Sequence, residues 1–278
     1  MKVGFIGYGS MGSMLLNQMI VTNALEPDNI IVYNRTAAKL APLSESYPAV
    51  EIASGVTEVA AKAKVIFLCT KAPDALQILE EIKGYITPDT HLISISGAIK
   101  AKDIQQRTGA MVSKLIPAVT SEVLEGVSLV YHKAEVHKEN AEFVENLLRR
   151  ISQVKILSVD DFALITEITS CGPGLLAGMF REMLEAAARH SDLYSRDELQ
   201  ELLIRTLYGT AKLFLDKGLT FDNTISRVAV KGGITEEGIL VFQKQLPNVF
   251  NEAFDRMLEK RKASDQKIED IQLGTKAQ

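Results

Sequence analysis

The stretch Val3-Gly4-Phe5-Ile6-Gly7-Tyr8-Gly9-Ser10-Met11-Gly12 constrains this chain more than any other. A short apolar run with the character of a buried strand ends in glycines, and apolar residues at helical spacing follow over 11–20. The three glycines fall in the pattern G-x-G-x-x-G. Between a strand and a helix, each has a separate task. The first permits a tight turn, the second lets a bound group approach the backbone, and the third lets the helix pack on the strand. A helix opened this way presents unbonded N–H groups and a partial positive charge, which together receive a phosphate. The N-terminus therefore reads as the start of a βαβ unit in which Gly7, Gly9, Ser10, Met11 and Gly12 hold a dinucleotide.

The rest of the first half agrees. Strands are predicted over 30–33, 64–70, 91–95, 112–116, 126–130 and 154–157, with helices over 36–46, 73–83, 101–108 and 140–151 and Thr36 as an N-cap. Nearly continuous apolar strands alternating with helices imply a parallel sheet covered on both faces, the doubly wound Rossmann-type α/β class. After about Asp161 strand-like runs nearly vanish, and 162–170, 175–189, 196–217 and 249–262 read as helix. Two domains are expected: a dinucleotide-binding domain over 1–160 and an all-helical domain over 161–278. Val249, Phe250, Ala253, Phe254, Met257 and Leu258 form an apolar stripe wide enough for a core or a subunit interface. The polar tail from about 263 is expected to be loosely ordered.

The end of the second strand selects the dinucleotide. NAD sites place a carboxylate there for the ribose 2′-hydroxyl; here the residues are Asn34-Arg35-Thr36. Arg35 can pair with a 2′-phosphate, and Asn34 and Thr36 can donate hydrogen bonds. NADP(H) is the expected cofactor, with NAD(H) less favoured. Thr70 and Lys71 close the third strand, at the sheet end that faces ligands in this fold, although Lys71 also reads as a solvated loop lysine.

Composition excludes several classes. A net charge of −4 without a long basic run disfavours nucleic-acid binding. No window approaches a membrane span, and no leader peptide is expected. Two cysteines without a C-x-x-C pair argue against a disulfide framework or a cysteine zinc site and fit a reducing cytoplasm. His91, His132, His137 and His190 lack ligand spacing, so no metal is expected. His132 and His137 read as solvated loop residues, and Cys171 as a small buried thiol.

The second half raises a sharper question at Val228-Ala229-Val230-Lys231-Gly232-Gly233-Ile234-Thr235-Glu236-Glu237, where a glycine pair breaks helical sequence. Taken with residues 2–12, Lys71, Leu115-Ile116-Pro117, Glu125-Gly126 and Ser170-Cys171-Gly172-Pro173, in that colinear order, the chain resembles the pyrroline-5-carboxylate reductase family from residue 1 to about 260. Within it, the likeness is greatest to the branch of the late competence protein ComER of bacilli. The resemblance implies a helical C-terminal domain that interlocks two subunits, and reduction of the cyclic imine pyrroline-5-carboxylate to proline with NAD(P)H. It implies that the substrate carboxylate sits on the loop Lys231-Gly232-Gly233-Ile234-Thr235, with Thr235 the catalytic hydroxyl near the ring nitrogen. Physically, successive amides in a glycine loop make an anion-binding concavity, and a helix start adds a favourable dipole. Thr235 also reads as an N-cap for a helix from Glu236, and the two roles are compatible.

The match departs from the family on the substrate side. Ala118 stands where the family has Asn, Val230-Lys231 replaces Ser-Pro, Cys171 replaces a small residue, and Glu236 and Glu237 follow Thr235. Two carboxylates there work against an anionic substrate, while Lys231 offsets them. The leading reading is an NADPH-dependent reductase of a small cyclic imine carboxylate. The alternative is a weak or inactive cofactor-binding paralogue with a regulatory role in competence. A β-hydroxyacid dehydrogenase, which needs a lysine early in its second domain, is disfavoured because 162–189 contains none. Wide apolar faces in the helical half point to a homodimer or higher homo-oligomer.

Overall fold

The structure is a computed structural model and describes residues 1–158, 162–190 and 192–276, with side chains described to residue 271. Compactness divides it into two units: Met1–Cys171 with Leu258–Gln278, and Gly172–Met257. The boundary expected near 160 lies beside residues 159–161, which are outside the described residues, whereas the compact units divide after Cys171 and again after Met257.

The first unit carries an eight-stranded sheet: β1 (Val3–Ile6), β2 (Ile30–Tyr33), β3 (Glu51–Ile52), β4 (Val65–Leu68), β5 (His91–Ser94), β6 (Met111–Ile116), β7 (Gly126–His132) and β8 (Ser152–Ile156). The order is β3-β2-β1-β4-β5-β6-β7-β8, with every neighbour parallel except β6 and β7. That reversal was not expected. Residues 117–125, with a 3-10 turn at Val119–Val123, are too few for a crossover, so the chain returns antiparallel.

Helices α1 (Ser10–Val21), α2 (Ala41–Ser46), α3 (Val56–Lys62), α4 (Ala72–Ile82), α5 (Ala101–Thr108) and α6 (Lys138–Arg149) connect the strands, and α7 (Phe162–Thr169) follows. Sequence periodicity missed β3 and α3. Two residues carry no period, and a seven-residue helix hides among alanines and lysines. Strands β1, β4, β5 and β6 are buried throughout, which is why they read as continuous apolar runs. Alternate residues feed two cores. Phe5, Phe67, Ile93 and Leu115 pack with Leu15 and Met19 of α1; Ile6, Ile66, Leu92 and Val112 pack with Val59, Leu79 and Ile104. Phe5 and Phe67 stack at 4.9 Å and 8°, a pairing worth about 1 kcal/mol beyond burial.

The second unit holds α8 (Gly172–Ala188), α9 (Arg196–Lys217), α10 (Phe221–Val228) and most of α11 (Ile234–Lys276). Gly172-Pro173 opens α8 rather than merely breaking helices. Only Gly172 and Leu184 are buried among this unit's described residues, while Tyr208, Leu215 and Phe221 are exposed. The stripe at Val249 and Phe250 is likewise uncovered within one chain.

Three expectations are corrected. Thr36 holds the N-cap position of a 3-10 turn at Ala37–Leu40, but its side chain makes no capping bond. The tail beyond 263 is helical: Ile268 is buried in the second core of the first unit, and Lys100 pairs with Glu269. His132 is not solvated. Its ring Nδ1 and the ring of His91 both lie 2.6 Å from the Ser113 hydroxyl inside the sheet.

Candidate active site: a dinucleotide cradle and a glycine loop

The fingerprint glycines divide their labour as the pattern demands. Gly7 adopts φ +103°, and a Cβ there would stand 2.6 Å from the Cys69 carbonyl oxygen. Only glycine serves at that turn. At Gly12 a Cβ would approach the Gly7 carbonyl oxygen to 2.2 Å, so glycine there sets how closely α1 meets the turn. Gly9 differs: a Cβ would meet nothing within 4 Å. The space beside this backbone is open, as the approach of a pyrophosphate requires. Gly9 is also the N-cap of α1, and no side chain caps the helix and no acid sits in its first turn. Ser13 N–H bonds the Gly9 carbonyl at 2.9 Å, so the amides of Ser10, Met11 and Gly12 precede the intrahelical ladder and are available to phosphate.

The end of β2 is tied to this turn. The Asn34 side-chain oxygen accepts the Tyr8 amide at 2.9 Å, and its amide nitrogen donates to the Thr36 carbonyl at 2.9 Å. Asn34 thus clamps the fingerprint loop to the selectivity loop, a positioning task the sequence reading did not assign. An Asx side chain bonding its own backbone two residues on was the available signal. Arg35 is 83% exposed in its side chain, with one nitrogen 3.4 Å from Asp74. A surface pair of that length is worth little and leaves the guanidinium free to turn to a phosphate. Thr36 is exposed beside it.

At the end of β4, the Thr70 hydroxyl is buried with no hydrogen-bond partner. Its methyl lies 2.9 Å from the Cβ that Gly7 lacks, so the orphaned hydroxyl stands beside the fingerprint turn. An unsatisfied buried hydroxyl is costly, and a bound polar group would satisfy it. Lys71 is exposed and serves as N-cap of α4, its carbonyl accepting from Ala75 at 2.9 Å. Cys69 is a free thiol whose burial pushes it up to about 12, which makes it inert. Cys171 is only half-buried, and burial with the Glu167 carboxylate raises it as well. Ser170 donates to the Pro117 carbonyl at 3.0 Å, joining two of the stretches that carry the family resemblance.

In the second unit, the glycine pair forms a turn. Gly233 N–H bonds the Val230 carbonyl at 2.9 Å, and Gly232 takes φ +76°. Helix α11 begins at Ile234, so Thr235 lies inside its first turn and is not the N-cap. The Gly232 amide donates to the Glu236 carboxylate at 2.6 Å. The loop therefore does bind a carboxylate, and that carboxylate is its own. Sequence reading had treated Glu236 as a repulsive neighbour; the structure makes it a ligand of the loop. Lys231, Ile234 and Thr235 are exposed. Among the described residues no cluster of His, Cys, Asp or Glu could hold a metal, and no single helix is long and apolar enough to cross a membrane.

Comparison with known proteins bears on both parts. Residues 2–97 match the family model for the NADP oxidoreductase, coenzyme F420-dependent, and residues 160–264 match the one for pyrroline-5-carboxylate reductase dimerisation. Pyrroline-5-carboxylate reductase 3 of Bacillus subtilis is 33% identical, over 93% of this chain and 95% of the relative. ComE operon protein 4 of the same organism is 28% identical, over 91% and 93%. The NADP-bound pyrroline carboxylate reductase of Plasmodium falciparum shares the fold, with a TM-score of 0.84 over 95% of this chain and 98% of that one at 21% identity. A cradle for a dinucleotide, a carboxylate-binding glycine loop and near-full-length identity of this order leave one conclusion: the chain belongs to the pyrroline-5-carboxylate reductase family.

Proposed function

We propose that the protein is an NADP(H)-dependent reductase of a small cyclic imine carboxylate, pyrroline-5-carboxylate or a close relative, giving the cyclic amino acid. The observation that carries this reading is the Gly232 amide holding a carboxylate oxygen at 2.6 Å, in a chain that also presents an open phosphate cradle at Gly9. The substrate carboxylate takes the place of Glu236 on the loop Lys231-Gly232-Gly233-Ile234-Thr235, and Lys231 adds a positive charge. Gly7, Gly9, Ser10, Met11 and Gly12 hold the pyrophosphate, Thr70 satisfies its hydroxyl on the cofactor, and Lys71 lies at the rim. Arg35, with Thr36 and the free donor of Asn34, binds the 2′-phosphate.

The reduced nicotinamide, when bound, supplies a hydride for the imine carbon. The protein's own part is position and a proton. The Thr235 hydroxyl holds a hydrogen bond at the ring nitrogen and relays the proton that nitrogen gains as the C=N bond is reduced. No strongly acidic group is needed, because an imine is readily protonated from water through such a hydroxyl. The exposed faces of α9, α10 and α11 are covered by a second copy, which makes the working form a homodimer or larger, and two free cysteines suit a reducing cytoplasm.

The second reading is a cofactor-binding paralogue without turnover. The occupied Gly232 amide and the buried Ala118 favour it, since the first subtracts from substrate contact and the second from hydrogen bonding near the nicotinamide. Purified protein is assayed for NADPH oxidation with pyrroline-5-carboxylate, beside NADPH binding alone. Turnover establishes the reductase. NADPH binding without turnover of any cyclic imine carboxylate supports the second reading, and failure to bind either dinucleotide removes both.

A further inference from the structure

The first unit contains a cavity of about 460 Å³, within the range typical of small-molecule sites. It lies on the sheet face opposite α1. Lys114, at its floor, alternates along β6 with Leu115, which packs on the α1 side, and shares its face with Val112 of the other core. The cavity therefore stands apart from the cradle at the N-terminus of α1.

Its charges are unbalanced towards the positive. Among the described residues five cations line it, Lys100, Lys102, Lys114, Lys133 and Arg261, against one lining carboxylate, Asp265. Three of the cations have carboxylate partners behind them: Lys100 pairs with Glu269, Lys133 with Glu135 at 3.5 Å, and Arg261 with Glu167 at 2.5 Å. Lys102 and Lys114 remain, with Asp265 to offset one of them. Lys114 is 93% buried, as its 7% exposure implies, and spends two donors on the carbonyls of Ser96 and Ile99. Burial pushes its amine down to about 7, so a bound anion would restore its charge at small cost. The positive groups that face the cavity among the described residues suit a ligand that carries a carboxylate.

The remaining wall is apolar and aromatic. Tyr131 and Phe162 meet edge to face at 6.5 Å and 81°, forming a corner that offers one ring face and one ring edge. Ile99 and Ile116 complete it.

We propose that this cavity binds a small aromatic monocarboxylate, its carboxylate on the Lys102 and Lys114 side and its ring against Tyr131 and Phe162. This is a second site with its own ligand class, and it rests on the proposed function only in placing the dinucleotide at the turn over 7–12, on the α1 side of the sheet.

The probe is 2-naphthoate, whose fluorescence can be followed without tryptophan background because the chain has none. Full-length protein is titrated into the probe, with and without saturating NADPH. The expected result is saturable binding that NADPH leaves unchanged and that Lys102→Glu weakens by at least roughly tenfold. Lys102 is exposed, so this variant keeps the core intact; NADPH binding by the variant confirms that it is folded. 2-Naphthalenemethanol, the ring without the charge, and inorganic phosphate, the charge without the ring, are expected to compete poorly. Absence of saturable binding, displacement by NADPH, an unchanged affinity in Lys102→Glu, or displacement of the probe by phosphate as strong as by benzoate would each overturn the proposal.

Discussion

Replacing Glu236 by alanine should improve the substrate's binding rather than weaken it. In the structure the Glu236 carboxylate accepts the Gly232 amide at 2.6 Å, on the loop proposed to hold the substrate carboxylate. Under that proposal a carboxylated substrate displaces it. A hydrogen bond to a charged group is worth about 1.5–3 kcal/mol, and exposure at this loop brings the competing contribution to about 1 kcal/mol. The displaced carboxylate then remains a like charge close to the substrate, costing about 1 kcal/mol at 4 Å in water. Glu236→Ala removes both, so KM for pyrroline-5-carboxylate should fall by about fivefold to thirtyfold, since about 1.4 kcal/mol is a decade. The turnover number should change little, because Glu236 is not placed at the reacting atoms. Glu237→Ala removes a charge without removing the 2.6 Å bond and should give no more than the smaller effect. Steady-state NADPH oxidation over a range of imine concentrations reads all three proteins. An unchanged or raised KM in Glu236→Ala would refute the competition argument, and equal effects in the two variants would reduce it to charge alone.

Other outcomes follow from the cofactor side and the core. Arg35→Asp removes a charge-assisted partner for the 2′-phosphate and should lower the NADPH-to-NADH preference by roughly tenfold to a hundredfold without changing the melting temperature, which steady-state kinetics with both cofactors will check. Gly9→Ala should leave thermal stability unchanged and abolish NADPH binding, because its Cβ enters open space that the pyrophosphate needs. Gly12→Ala should lower the melting temperature as well, because its Cβ would meet the Gly7 carbonyl oxygen at 2.2 Å; calorimetry beside a binding titration separates the two. Burial holds His91 well below its ordinary value, at about 3, and lowers His132 too. The unfolded chain therefore binds protons that the folded chain refuses, so these residues cost stability as pH falls from about 6.5 towards 3, and His91→Asn should flatten that part of a stability-against-pH profile.

The local chemistry of the cradle was legible from the glycine spacing because each glycine answers a backbone requirement within a few residues. The position of Arg35 was legible for a similar reason, since its place after β2 is fixed by the βαβ register, while its part at a 2′-phosphate belongs to the proposal. The clamp from Asn34 to Tyr8 was not, since it joins residues 26 apart in sequence and depends on where two turns meet. His132 was misread as solvated because a histidine at a strand end shows no period, and only the pairing of β6 with β7 brings it to Ser113. The tail was misread because its few apolar residues looked too sparse to order a helix. One of them, Ile268, finds a core assembled from residues far earlier in the chain.

What the sequence determined by itself were the longer strands and helices of the first half, the glycine turn between β1 and α1, and the glycine turn before α11. All of these rest on period, sterics and backbone conformation over short spans. Tertiary structure alone decided which way β7 runs, that Thr70 is left with a buried and unpartnered hydroxyl, and that lysines from three separate segments and Arg261 gather around one cavity. These are meetings of groups whose separation along the chain carries no pattern, and only the packing of the sheet and its helices brings them within reach.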